Sequence, residues 1–223
     1  MTRRANGAAA ITAALTLLTA APAMARPAPL TMFVFEPAFS GKGENPCLDR
    51  TARDVVRLDL KKEITQAPGL PTALTTCHVA AGTAAKARRP DMVVALYQPL
   101  GPSRRPETPT PPTGPSPFEM VILSSATSGQ DAEYNRWYDQ EHIPAVLQNP
   151  GFTAAQRLRL VASDAPSGYV LPRYGATYLF TSGDWAAIMT GIRAKLASGE
   201  IHTSTAFDYK TGVNRYYAVV PHN

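Results

Sequence analysis

Residues 131–160 read DAEYNRWYDQEHIPAVLQNPGFTAAQRLRL, and how this stretch folds decides the fold of the whole chain. Tyr134, Trp137, Tyr138 and Glu141 recur at i, i+3, i+4 and i+7, so they share one face of a helix. Ser128, with Asp131 three residues on, fits an N-terminal capping pattern. Pro144 biases Ile143 away from helical dihedrals, so the helix is expected to stop there with His142 in its last turn. A helix C-terminus, with Glu141 or Asp139 nearby, would favour a protonated imidazole. Pro150-Gly151 makes a turn, and a strand follows from Phe152 to Ala162. On it Arg157 and Arg159 alternate with Leu158 and Leu160, so the two arginines share a face.

Working outward, Leu30–Pro37 reads as a strand. Residues 49–66 read as a helix with Val55, Val56, Leu58, Leu60 and Ile64 as its apolar stripe. After Pro68-Gly69-Leu70 come two strand-like runs, 71–81 and 91–98. The second half runs 118–125 (strand), the helix and strand already described, 174–182 (strand), a helix after Asp184 ending at Gly199, and a strand near 213–220. Setting Pro68-Gly69-Leu70 on Pro150-Gly151-Phe152 gives an offset of 82 residues and suggests an internal repeat. The expected fold class is α+β with two ferredoxin-like repeats: a truncated one at 26–98 and a complete β-α-β-β-α-β unit at 118–223. Between them, residues 99–117 carry eight prolines and read as an extended, mobile linker. Such a unit leaves one sheet face bare, and that face needs a partner sheet. The two repeats could supply it to each other as an intrachain pseudo-dimer around a lumen; otherwise a homodimer would. Under the same offset His142 falls on Leu60 and Trp137 on Val55, so any active site would be single.

The run Asn135-Arg136-Trp137-Tyr138-Asp139, then Glu141-His142, Pro144, Pro150-Gly151-Phe152 and Arg157, resembles the EthD-like, stress-responsive branch of the dimeric α+β barrel proteins. The resemblance implies a barrel of that type enclosing a cavity. It implies an activity only loosely, because that family holds cofactor-free lyases and decarboxylases of aromatic polyketides beside members of no assigned reaction.

The candidate catalytic residues are His142, as general acid/base, and Glu141, orienting it. The bland alternatives are a helix-end histidine holding strand backbone and a solvated carboxylate. Tyr138 and Trp137 are candidates to line an aromatic-accepting pocket, or else pack helix on sheet. Arg157 is a candidate to hold a carboxylate or phenolate if the leucines of its strand lie under the helices; otherwise it sits on an exposed strand.

Residues 1–25 read as a secretory signal, with Arg3 and Arg4, an apolar run from Ala8 to Ala21 and an Ala23-Met24-Ala25 cleavage site. The expected location is periplasmic or secreted, with no membrane span in the mature form. Removing Arg3 and Arg4 takes the formal charge from +5 to +3, and no basic block speaks for nucleic acid. Cys47 and Cys77 could form one disulfide in an oxidising compartment, or stay two separate buried thiols. No Gly-rich phosphate loop, G-x-S-x-G or H-E-x-x-H is present, so no cofactor or metal is expected. Haem, which relatives of this barrel bind, has only the lone His142 to speak for it. The expected function is binding of a small aromatic or carbonyl compound, with cofactor-free lyase or isomerase chemistry at His142. The alternative is a non-catalytic binding or stress-protective protein.

Overall fold

The computed structural model describes residues 27–221 apart from 50 and 66, so the expected signal segment 1–25 lies outside the described residues. Eight antiparallel strands, β1 (Leu30–Glu36), β2 (Arg53–Thr65), β3 (Ala73–Val79), β4 (Val93–Pro99), β5 (Ser116–Ser124), β6 (Phe152–Asp164), β7 (Tyr174–Ser182) and β8 (Val213–Val220), close into one barrel. The order around the wall is β1-β3-β2-β8-β5-β7-β6-β4, and β4 returns to β1. Two seams, β2 with β8 and β4 with β6, join the N-terminal strands to the C-terminal ones.

This corrects the expectation of two ferredoxin-like α+β repeats forming a pseudo-dimer. The chain makes a single closed antiparallel β-barrel, and among the described residues its α-helices belong to the C-terminal half. The decisive difference lies in 49–66, where Arg53–Thr65 is strand β2 and not a helix. Val56, Leu58 and Leu60 alternate with Arg57, Asp59 and Lys61, a period of two that puts the apolar set inside the barrel. The 82-residue offset therefore lays strand residues such as Leu60 on helical ones such as His142, and the internal repeat does not hold.

Side chains fill the barrel interior, as eight strands require: Phe33, Phe35, Leu58, Tyr97, Leu158 and Tyr217 are all buried there. The outer face of β1, β3 and β4 carries Met32, Val34, Cys77, Val79, Val94 and Leu96. Cys47, from the 3-10 turn Pro46–Leu48, is disulfide-bonded to Cys77 and packs in the same cluster.

The outer face of β5–β8 is covered by helices. A continuous helical segment runs through α1 (Asp131–Trp137), a π turn (Tyr138–His142) and α2 (Ile143–Leu147). It does not stop at Pro144. The N–H of Ile143 reaches back five residues to the carbonyl of Tyr138, and this wider turn admits the proline near the start of α2. Gln130, with no side-chain bond, caps α1, so the Ser128 capping pattern is not used. The remaining helix, α3 (Trp185–Ser198), starts with Asp184 accepting from the N–H of Ala187 at 3.0 Å and ends at left-handed Gly199.

The proline-rich segment is tied down. Leu100 N–H bonds Arg157 O at 2.9 Å, Arg104 and Ala155 exchange both backbone bonds at 2.8 Å, and Thr113 bridges to Ser182. It extends the wall alongside β6.

Candidate functional site

A cavity of about 250 Å³ lies outside the barrel wall, between the helical segment and α3. Its floor is the outward face of β5 and β8, which presents Met120, Ile122, Asn214 and Tyr216. Trp137, Tyr138 and His142 line one side, and Met189, Ile192 and Leu196 of α3 line the other. Phe207 and Tyr209, from the loop before β8, complete the enclosure.

His142 reaches this cavity because the π turn adds a residue to the helical turn on which it sits, which is where such turns place functional side chains. Its ring centre lies 4.6 Å from that of Trp137 and 5.1 Å from that of Tyr138. Nδ1 is out of solvent and has no hydrogen-bond partner. Burial pulls its pKa down to about 4; the nearby His202 backbone opposes this, and the charge of Arg157 adds to it. The imidazole is therefore neutral at neutral pH, where the expected helix end would have made it a cation. The His202 carbonyl accepts from Trp137 Nε1 at 3.0 Å, so the loop is pinned beside the histidine.

Of the five residues the sequence singles out, three meet here: His142, Trp137 and Tyr138. The other two go elsewhere. Glu141 points away and accepts from Arg136 Nη1 at 2.7 Å, with His202 Nδ1 at 3.7 Å. Arg157 faces the helices, while Leu158 and Leu160 face the barrel interior. It lies buried beneath α1, with Nη2 donating to Asn135 Oδ1 at 2.7 Å and Nη1 to Asp139 Oδ1 at 3.2 Å. Arg157 does not line the cavity.

Arg193 is a lining residue that sequence reading missed. The signal was present: Met189, Ile192, Arg193 and Leu196 stand at i, i+3, i+4 and i+7, a cation beside the buried stripe of an amphipathic helix. Among the described residues no three His, Cys, Asp or Glu side chains gather as a metal site.

The arrangement suits a planar, largely apolar ligand with one polar edge. Aromatic and thioether side chains supply the walls, and a neutral imidazole offers one donor or acceptor to a hydroxyl or carbonyl. Arg193, at the exposed rim, can meet an anionic edge.

No protein-family model matches the chain, and no curated protein matches it. Among solved structures, an anthrone oxidase-like protein superposes with a TM-score of 0.55 at 10% identity, over 86% of this chain and 92% of that one. A major regulator of staphylococcal pathogenesis gives a TM-score of 0.49 at 9% identity, over 86% and 99%. At such identities the first of these likenesses speaks to the fold alone: this is a barrel of a known architecture, of which no family is thereby shown.

Proposed function

We propose that the protein is an exported barrel that binds a small aromatic carbonyl or phenolic compound in the cavity beside His142. The observation that carries this reading is the half-buried imidazole of His142 in the wall of an aromatic-lined cavity. A ligand hydroxyl or carbonyl can hydrogen-bond the edge of this ring that the cavity exposes. Export is supported by the signal-like residues 1–25 and by the Cys47–Cys77 disulfide. A fold neighbour named for anthrone oxidation is compatible with this ligand class.

In the catalytic form of this reading, His142 accepts a proton from the bound compound, as in a cofactor-free lyase or isomerase. A base with its pKa near 4 can do so only from an acidified position, such as a carbon between a carbonyl and an aromatic ring. Trp137 and Tyr138 hold the ring. Glu141 serves at a distance, by pairing with Arg136 and lying near His202 of the pinned loop. Arg157 holds the helix on which His142 stands.

A non-catalytic reading is favoured by one feature: no carboxylate orients the imidazole, since Glu141 is engaged by Arg136. One experiment separates the two. The full chain and a His142→Ala variant are screened by thermal shift against phenols, anthrone-type ketones, quinones and aromatic acids. A compound that stabilises the wild type in proportion to its concentration and loses that effect in the variant supports the site. Deuterium exchange into that compound in D2O, catalysed by the wild type only, supports the enzyme; binding without exchange supports the carrier. If no compound stabilises the wild type, or the variant responds equally, the site is refuted.

A further inference from the structure

Strand β5 has two faces, and the second carries a site of its own. Met120 and Ile122 look outward into the His142 cavity, whereas Glu119, Val121 and Leu123 look into the barrel. Glu119 stands opposite Tyr217 on β8 and Leu179 on β7. It is 7% exposed, and among the described residues its carboxyl makes no hydrogen bond or ion pair; the Tyr217 phenol lies near enough to feel its charge. The nearest inward arginine along β8, Arg215, is already spent on Glu63 and the carbonyls of Leu70 and Pro71.

The carboxyl lines a cavity of about 280 Å³ at one end of the barrel, near the lower end of the roughly 300–1,000 Å³ usual for small-molecule pockets. Phe33, Val56 and Leu158 supply apolar walls, and Thr31, Thr76 and Thr177 supply hydroxyls. At the mouth, Asp54 sits at a bulge in β2 with φ +51° and pairs with His78 Nδ1 at 3.0 Å. A non-glycine residue in that left-handed region is held there by its surroundings. Both rim side chains are well exposed, so the cavity opens to solvent.

We infer that this barrel mouth is a second ligand site, taking a small organic ammonium whose cationic head meets Glu119 and whose apolar body lies against Phe33, Val56 and Leu158. A carboxylate in the wall of a cavity, paired with no group of the chain, can take a cation, and an R–NH3+ group brings three N–H donors whose hydrogen bonds the carboxylate and the threonine hydroxyls can accept. The Phe33 ring lies within the same walls and tolerates a nearby cation. Desolvation lifts the Glu119 carboxyl to about 7, consistent with a counter-charge that the chain itself does not provide.

The test is calorimetric titration of the full chain with phenethylamine and with its neutral isostere phenethyl alcohol. It is run at about pH 8, where the carboxyl is ionised and the alkylammonium keeps its proton. The wild type binds the amine at least about tenfold more tightly than the alcohol, and Glu119→Gln abolishes the preference. Equal binding of the two compounds by the wild type overturns the proposal. So does a preference that survives in Glu119→Gln, or no binding of the amine up to about 10 mM, near the weak limit of specific association. The amine-to-alcohol ratio in the wild type stands whether or not the variant folds.

Discussion

The guanidinium carbon of Arg157 lies 4.4 Å from the centre of the Tyr138 ring, with Tyr134 at 5.4 Å and Tyr174 at 5.9 Å around it. This cation, nearly fully buried, joins β6 to α1 through Asn135 and to the π turn through Asp139. Arg157→Ala removes two charge-assisted hydrogen bonds and the aromatic contacts together, and is expected to cost about 2–4 kcal/mol. Arg157→Lys recovers less than half, because an ammonium cannot serve both acceptors as a planar fork does. Chemical denaturation measures both. A stability loss below about 0.5 kcal/mol, the range of ordinary surface substitutions, would show that Arg157 does not hold the helix.

The Cys47–Cys77 disulfide spans a sequence separation of 30 and covers the outer face of β1, β3 and β4. Chain-entropy reasoning gives it about 3–4 kcal/mol of stabilisation. A Cys47→Ala/Cys77→Ala double variant is expected to melt roughly 6–14 °C lower than the wild type. Reductant should lower the wild-type melting temperature towards that value and leave the variant unmoved.

Much of the wall was legible in the sequence. The runs at 30–37, 118–125, 174–182 and 213–220 alternate or are continuously apolar, and all four are strands. Helix α3 was legible from Trp185, Ile188, Met189, Ile192 and Leu196 at helical spacing and from Gly199 past its end. Strand β2 was not, because Val55-Val56 and the wide spread of leucines fit a helical stripe as well as an alternation, and β-branched residues should have arbitrated. The burial of His142 was illegible for another reason. Its neutrality comes first from burial, in a cavity that α3, Phe207 and Tyr209, distant segments in sequence, help to enclose. Glu119 carried a signal, a lone carboxylate within the apolar run Phe118–Leu123. Only closure of the barrel tells that its side of the strand is enclosed.

Gly151, in the turn after α2, has φ +83°, and a Cβ there would clash with the Thr181 carbonyl oxygen. That oxygen belongs to β7, which cannot withdraw without breaking its pairing with β5 and β6. Gly151→Ala therefore combines a strained backbone with a backbone clash and is expected to cost about 2–4 kcal/mol. Gly129, also at positive φ but with nothing near its absent Cβ, is the control: Gly129→Ala should cost only about 1 kcal/mol. Equal losses at the two sites, measured by urea denaturation, would refute the clash.

His142 and Glu119 drive stability in opposite directions with pH. Glu119 holds its proton up to about 7 in the fold, against 4.5 when unfolded, so between these values the native chain binds the extra proton. Its contribution is complete below pH 4.5 and is lost as pH rises through 7. His142 is the reverse: titrating at about 4 in the fold against 6.5 unfolded, it leaves the unfolded chain the better proton binder. Its contribution is present above 6.5 and is lost as pH falls through 4. Each spans up to about 3 kcal/mol, and between about pH 4.5 and 6.5 they oppose one another. Glu119→Gln should therefore gain on the wild type as pH rises from about 4.5 to 7. A His142→Asn variant should gain on it as pH falls from about 6.5 to 4. Melting temperatures of the three proteins across that range decide the matter. Parallel curves for wild type and Glu119→Gln would mean that the carboxyl is solvated, and parallel curves for wild type and His142→Asn would mean that the imidazole is.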